Sequence, residues 1–216
     1  MNIITKKVTL LPAPFVGTRI KIRVPSTDEG DLEYRIFAAV RADDTESFDV
    51  DWGDGSTETK SGIVSRGHIY AAPGDYEIKI SDGIKSLACS SSGGSAPFLS
   101  KYGPSVLSLV SNATKLARLG CMYGCRNMRT FDIRKSAVSE LGEKIFVDCA
   151  SLSGDIYLPR ISELPYTDTQ PFAGCTGGIT RIHFSAEHES AIRNSAAFLA
   201  DATLGTGVAD VCKFDL

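Results

Sequence analysis

The sequence predicts a mainly β protein: an antiparallel β-sandwich, then a short solenoid of stacked coils closed by a helix and a strand. Three observations predict it. Apolar and polar residues alternate with period two up to about residue 88. A Ser/Gly-rich stretch then interrupts every periodicity. Beyond it, a cysteine-bearing pattern recurs after 24 and then 26 residues. Period two marks strands with one buried face, and self-similarity at such an interval marks stacked coils.

In the first part Ile20, Ile22 and Val24 alternate with Lys21 and Arg23. Phe48, Val50 and Trp52 alternate with Asp49 and Asp51, and Tyr76, Ile78 and Ile80 with Glu77 and Lys79. Turn formers separate these runs at Ser26 to Gly30, Gly53-Asp54-Gly55 and Ala72-Pro73-Gly74. Trp52 is the expected core anchor. Gly53 and Gly55 allow a turn that a Cβ would hinder, and Asp54 is placed to cap backbone N–H groups. Ser90 to Pro97 reads as a linker, which divides the chain into 1–89, 90–97 and 98–216.

The repeats follow. Cys125, Met128, Phe131 and Ile133 are echoed by Cys149, Leu152, Ile156 and Leu158, and then by Cys175, Ile179, Ile182 and Phe184. Phe146 and Phe172 stand three residues before the later cysteines. Met122 holds that place in the first copy, with Tyr123 beside it. Ala113, Leu116 and Leu119 form a weaker, shorter copy. No coil can bury its own apolar ridge, so each requires a neighbour. The three cysteines read as small buried hydrophobes under the strands, in preference to a disulfide or metal site. Cys89, beside the linker, is the candidate exposed thiol, although packing accounts for it too. Cys121 and Cys125 lack a second pair at zinc-finger spacing. Ser185 to about Ala202 reads as a helix, with Ser185 as N-cap, Glu187 and Glu189 at its positive end, and Ile192, Ala196 and Leu199 at helical spacing. Val211 to Leu216 alternates as a last strand. Together they would cover the open end of the solenoid.

Two stretches resemble known families. Phe48-Asp-Val-Asp51-Trp52-Gly53-Asp54-Gly55-Ser56, followed by His68-Ile-Tyr70 and Gly74-Asp-Tyr76, resembles a PKD (polycystic kidney disease) domain over about Val8 to Cys89. That resemblance implies an immunoglobulin-like sandwich serving as a spacer or contact module. The aromatic-x-x-Cys pattern of Phe172-Ala-Gly-Cys175, with its ending Ile182-His-Phe184, is similar to the BspA-like leucine-rich repeats of bacterial surface proteins, over about Val106 to Phe184. It implies a leucine-rich-repeat solenoid that binds host cells or matrix; similar repeats occur in prophage-encoded proteins.

Composition narrows the function. A net charge of -3 argues against a dedicated nucleic-acid binder. The basic stretch Lys115 to Arg134 is interleaved with apolar residues and reads as a solvated repeat face. No apolar run approaches the roughly 18 residues that span a bilayer, so no membrane insertion is expected. The N-terminus is no secretory signal. An EF-hand fails: counted from Asp49, the fifth position is Gly53, the sixth Asp54 and the twelfth Lys60. A looser calcium pair at Asp51 and Asp54 stays open beside turn capping. His183 and His188 do not form a His-Glu-x-x-His helix and read as surface histidines. No nucleophile elbow, phosphate loop or dinucleotide fingerprint is present. Asn112-Ala-Thr114 is a formal glycosylation tripeptide.

The expected function is a non-catalytic, adhesion-type protein of a cell surface or virion. It has no cofactor or metal and presents a small repeat-built face to a protein or glycan. Arg129, Asp132, Arg134, Asp155, Tyr157, Arg181 and His183 are the expected outward contact positions. They are read equally well as a solvated strand face. The alternatives are a phage or prophage tail-associated, receptor-binding component and a carbohydrate-binding module. The latter predicts an exposed aromatic platform.

Overall fold

A computed structural model describes residues 14–25, 33–39, 46–88, 106–120, 122–142, 144–164, 171–195 and 211–216. The first part holds β1 (Gly17–Val24), β2 (Glu33–Ala39), β3 (Ser47–Asp51), β4 (Thr57–Ser61), β5 (Ile63–Ile69), β6 (Gly74–Ser81) and β7 (Ser86–Ala88). The alternation read from the sequence is realised side by side: Ile20, Ile22 and Val24 are buried on β1, Phe48 and Val50 on β3, and Ile78 and Ile80 on β6. β1 pairs antiparallel with β6, so Ile20 faces Ile78 and Ile22 faces Tyr76. The β3–β4 turn has left-handed backbone at Gly53 and Gly55. A Cβ on Gly53 would stand 2.7 Å from the carbonyl oxygen of Glu77, so only glycine lets the turn lie against β6.

The second part holds β8 (Val106–Ser111), β9 (Arg118–Leu119), β10 (Thr130–Asp132), β11 (Glu140–Leu141), β12 (Gly154–Leu158), β13 (Ile179–Phe184) and β14 (Cys212–Phe214). Here pairing turns parallel, as it does when a chain winds in coils. β10 runs parallel to β8, β11 to β9, β12 to β13 and β13 to β14. The sheets are shared between the parts. One has the order β10-β8-β1-β6-β3-β4 and another the order β11-β9-β7-β2-β5. The first solenoid strands thus extend both sheets of the first part, and one hydrophobic core runs through both.

The repeats meet at one corner of the coil. Cys125, Cys149 and Cys175 each donate a backbone N–H to the residue three before, Met122, Phe146 and Phe172, at 3.2, 3.0 and 3.1 Å. The amides of Met122 and Gly124 donate to Ile145 and Val147 of the next coil, and those of Phe146 and Asp148 donate to Pro171 and Ala173. Phe146 stacks on Phe172, with centroids 5.0 Å apart, and meets the edge of Phe131 at 4.8 Å. Burying each such ring contributes about 1.5–3 kcal/mol. Cys125 and Cys149 are buried and Cys175 half-buried; none enters a disulfide among the described residues. The thiols of Cys149 and Cys175 donate to the carbonyls of Met122 and Phe146 in the preceding coil, at 3.2 and 3.0 Å.

At the C-terminal end the expected long helix is replaced, over the described residues, by a 3₁₀ turn (Ala186–His188) and a short α1 (Glu189–Arg193). Ser185 makes no side-chain cap; its hydroxyl turns to the Leu216 carbonyl. Ile192 is buried, and the Arg193 guanidinium lies over the Phe214 ring at 4.6 Å. Cys89, Cys121, the segment 90–97, and Ala196 and Leu199 lie outside the described residues.

Candidate functional site

β10, β12, β13 and β14 bring five of the seven expected contact residues into one row. Parallel pairing sets Tyr157 beside His183 and His183 beside Lys213, with Asp155 beside Arg181. Corresponding positions of successive strands therefore stand side by side. The Tyr157 and His183 rings are nearly parallel, with centroids 4.5 Å apart and planes 9° apart. On the other face of Tyr157 lies the Arg134 guanidinium, 4.4 Å from the centroid. Arg134 is held there by a fork onto Asp132, with Nη2 2.5 Å from Oδ2. The Arg134 hydrogen bonds keep the Asp132 carboxyl below the usual carboxylate range, against partial burial that pushes it up. Arg129 and Arg181 stand exposed beside the row.

His183 departs from the surface histidine expected. It is 7% exposed, covered by Tyr157 and held between two carboxylates. Its Nδ1 is 2.7 Å from Asp215 Oδ1, and its Nε2 is 3.5 Å from Asp155 Oδ2. The second separation is too long for a good hydrogen bond, and Nε2 has no hydrogen-bond partner. Asp215 is the residue that sequence reasoning missed. Alternation along Val211 to Leu216 puts it on the same face as Lys213. Only the parallel docking of β14 on β13 sets it against His183.

Comparison with family models, with curated proteins and with solved structures finds no match to this chain.

A second polar cluster caps the β3–β4 turn. Asp54 accepts hydrogen bonds from the Ser56 amide at 3.0 Å and the Ser56 hydroxyl at 2.6 Å, and its other oxygen lies 2.6 Å from His68 Nε2. Ser56 Oγ is 3.4 Å from that same nitrogen. A hydrolytic triad needs serine and carboxylate on opposite nitrogens of the imidazole, so the cluster cannot relay a proton from one to the other. Burial pushes the Asp54 carboxyl up, but hydrogen bonds from Ser56 and His68 outweigh it and hold the group at about 2. His68 stacks on Trp52 at 4.7 Å, and the Tyr70 hydroxyl donates to the Trp52 carbonyl at 3.0 Å. Asp51 accepts the Gly53 amide at 2.9 Å and meets Lys79 at 3.4 Å. The two carboxylates weighed as a calcium pair are thus engaged by the chain itself. His188 meets Glu187 at 3.4 Å, away from the row.

Proposed function

We propose that the chain is a non-catalytic adhesion-type protein whose solenoid presents the row Arg134–Tyr157–His183, flanked by Arg129 and Arg181, to a protein partner. In this reading the first part is a PKD-like, immunoglobulin-type sandwich that holds BspA-like leucine-rich coils. The observation that carries the reading is the stacking of Arg134 on Tyr157 on His183. It fixes three side chains before any partner arrives, so little side-chain entropy remains to be lost on binding. The same stack favours a protein over a glycan. Both faces of Tyr157 are covered, by Arg134 and His183, so no open ring is left for a sugar to lie on. Exposed arginines beside the half-buried Tyr157 ring match the composition of protein contact surfaces.

The test is retention of the full chain on panels of immobilised extracellular-matrix proteins and of glycans. Retention by a protein spot that falls at least tenfold in Arg134→Ala and Arg181→Glu, and is kept in His188→Ala, supports the reading. Retention unchanged by both arginine variants, or retention on glycans alone, overturns it.

A further inference from the structure

We propose that His183 and Asp155 form a binding site for a divalent transition-metal cation of borderline softness, such as zinc, with Asp215 orienting the imidazole. The inference does not depend on which partner the row contacts. It begins with a nitrogen that the fold leaves unsatisfied. His183 Nε2 is buried, has no hydrogen-bond partner, and lies 3.5 Å from Asp155 Oδ2. The Tyr157 hydroxyl is also 3.5 Å from that oxygen, so neither neighbour makes a short bond to it. Two ligand atoms bound tetrahedrally to one zinc ion, each about 2.1 Å from it, stand about 3.4 Å apart. The observed separation is too long for a good hydrogen bond and is the span an ion bridges.

The opposite nitrogen completes the argument. Histidines that bind metals through one nitrogen generally donate the other N–H to a carboxylate, which fixes the ring and its tautomer. Asp215 Oδ1, 2.7 Å from Nδ1, stands in that place. The Asp155 side chain is about a third exposed and opens the route from solvent. Among the described residues no three histidine, cysteine or carboxylate side chains gather as a cage. The ion therefore has two protein ligands, and water supplies the others. Lys213, beside His183 in the ladder, opposes a second cation and keeps the affinity modest. An ion here would tie β12 to β13 beside the stacked row.

The experiment uses the full chain, stripped by a chelator and titrated with zinc chloride. Imidazole nitrogens are followed by NMR and binding by calorimetry. The expected result is a saturable shift of His183 Nε2, with the nitrogens of His68 and His188 unmoved. Asp155→Asn abolishes it, and Asp215→Asn weakens binding about 10–100-fold without abolishing it. His183 Nε2 unmoved at saturating zinc overturns the proposal. So does zinc affinity in a folded Asp155→Asn variant equal to that of the wild type. The wild-type NMR readout decides the matter even where a variant fails to fold.

Discussion

At the scale of single residues, backbone conformation marks the repeat as clearly as the side chains do. Gly124, Asp148 and Gly174 occupy one place in successive corners, with φ of 75, 58 and 76°. Two copies use glycine for this left-handed position, and the middle one tolerates aspartate, one of the few other residues that visit it. A Cβ on Gly174 would stand 2.4 Å from Asp148 Oδ1. Gly174→Ala is therefore expected to cost about 1–2 kcal/mol in chemical denaturation. In an Asp148→Gly background the cost falls, because the clashing carboxylate is gone; simple additivity of the two changes would contradict the contact. The turn at Asp54 gives a pH-dependent counterpart. Its folded-state carboxyl, at about 2, lies below the ordinary value of about 3.9. A depressed carboxyl stabilises the fold above its ordinary value, and that contribution is lost as pH falls through the folded value. The stability advantage of wild type over Asp54→Asn should thus shrink between about pH 4 and pH 2. An advantage unchanged down to pH 2 would show that the Ser56 and His68 bonds do not favour the carboxylate.

At the scale of elements, the coils are held by rings and by parallel ladders of two to five residue pairs. Strands this short carry few hydrogen bonds, so the corner stack does much of the holding. Phe146 touches both Phe131 and Phe172 and is fully buried. Phe146→Ala is expected to cost about 3–5 kcal/mol, the upper range for core truncations, as measured by the urea midpoint. Phe146→Leu, which keeps most of the volume, should recover much of the loss. Equal losses in the two variants would mean that ring stacking and not volume sets the cost. The corner was legible in the sequence because aromatic-x-x-Cys recurs as letters. The short α1 was not. Helical spacing at Ile192, Ala196 and Leu199 suggested a longer element, but spacing carries no information on where tertiary contacts hold a helix. In the structure that anchoring is Ile192 in the core and Arg193 over Phe214.

At the scale of the whole molecule, the decisive feature is that the solenoid grows out of the sheets that precede it. β8 adds to β1 and β9 to β7. Side chains reinforce the joint. Asn112 accepts the Gly17 amide at 2.9 Å and donates to the Phe15 carbonyl at 3.0 Å, and Lys115 meets Glu46 at 2.7 Å. Asp82 accepts from the Thr114 hydroxyl and, at 3.0 Å, from the Lys115 amide. The shared core predicts one cooperative unfolding transition for the full chain. Cleavage at a protease site engineered between residues 90 and 97 should leave the two fragments associated on gel filtration. Two separated calorimetric peaks, or fragments that part after cleavage, would count against it. The same joint engages both sides of the Asn112 amide, so a glycan on the Asn112-Ala-Thr114 tripeptide would have to break two hydrogen bonds to fit.

By itself the sequence determined the β character, the faces that alternate, the turns at Gly53 to Gly55 and Ala72 to Gly74, and the coil interval. These follow from side-chain periodicity and backbone chirality, which are local and can be read along the chain. Tertiary structure alone decided that the sheets run through both parts, that His183 is buried and not at the surface, and that Asp215 completes its surroundings. Those depend on which strand lies beside which. Pairing between strands tens of residues apart is set by the sum of many burial and hydrogen-bonding energies over the whole fold, and no stretch of the sequence records it.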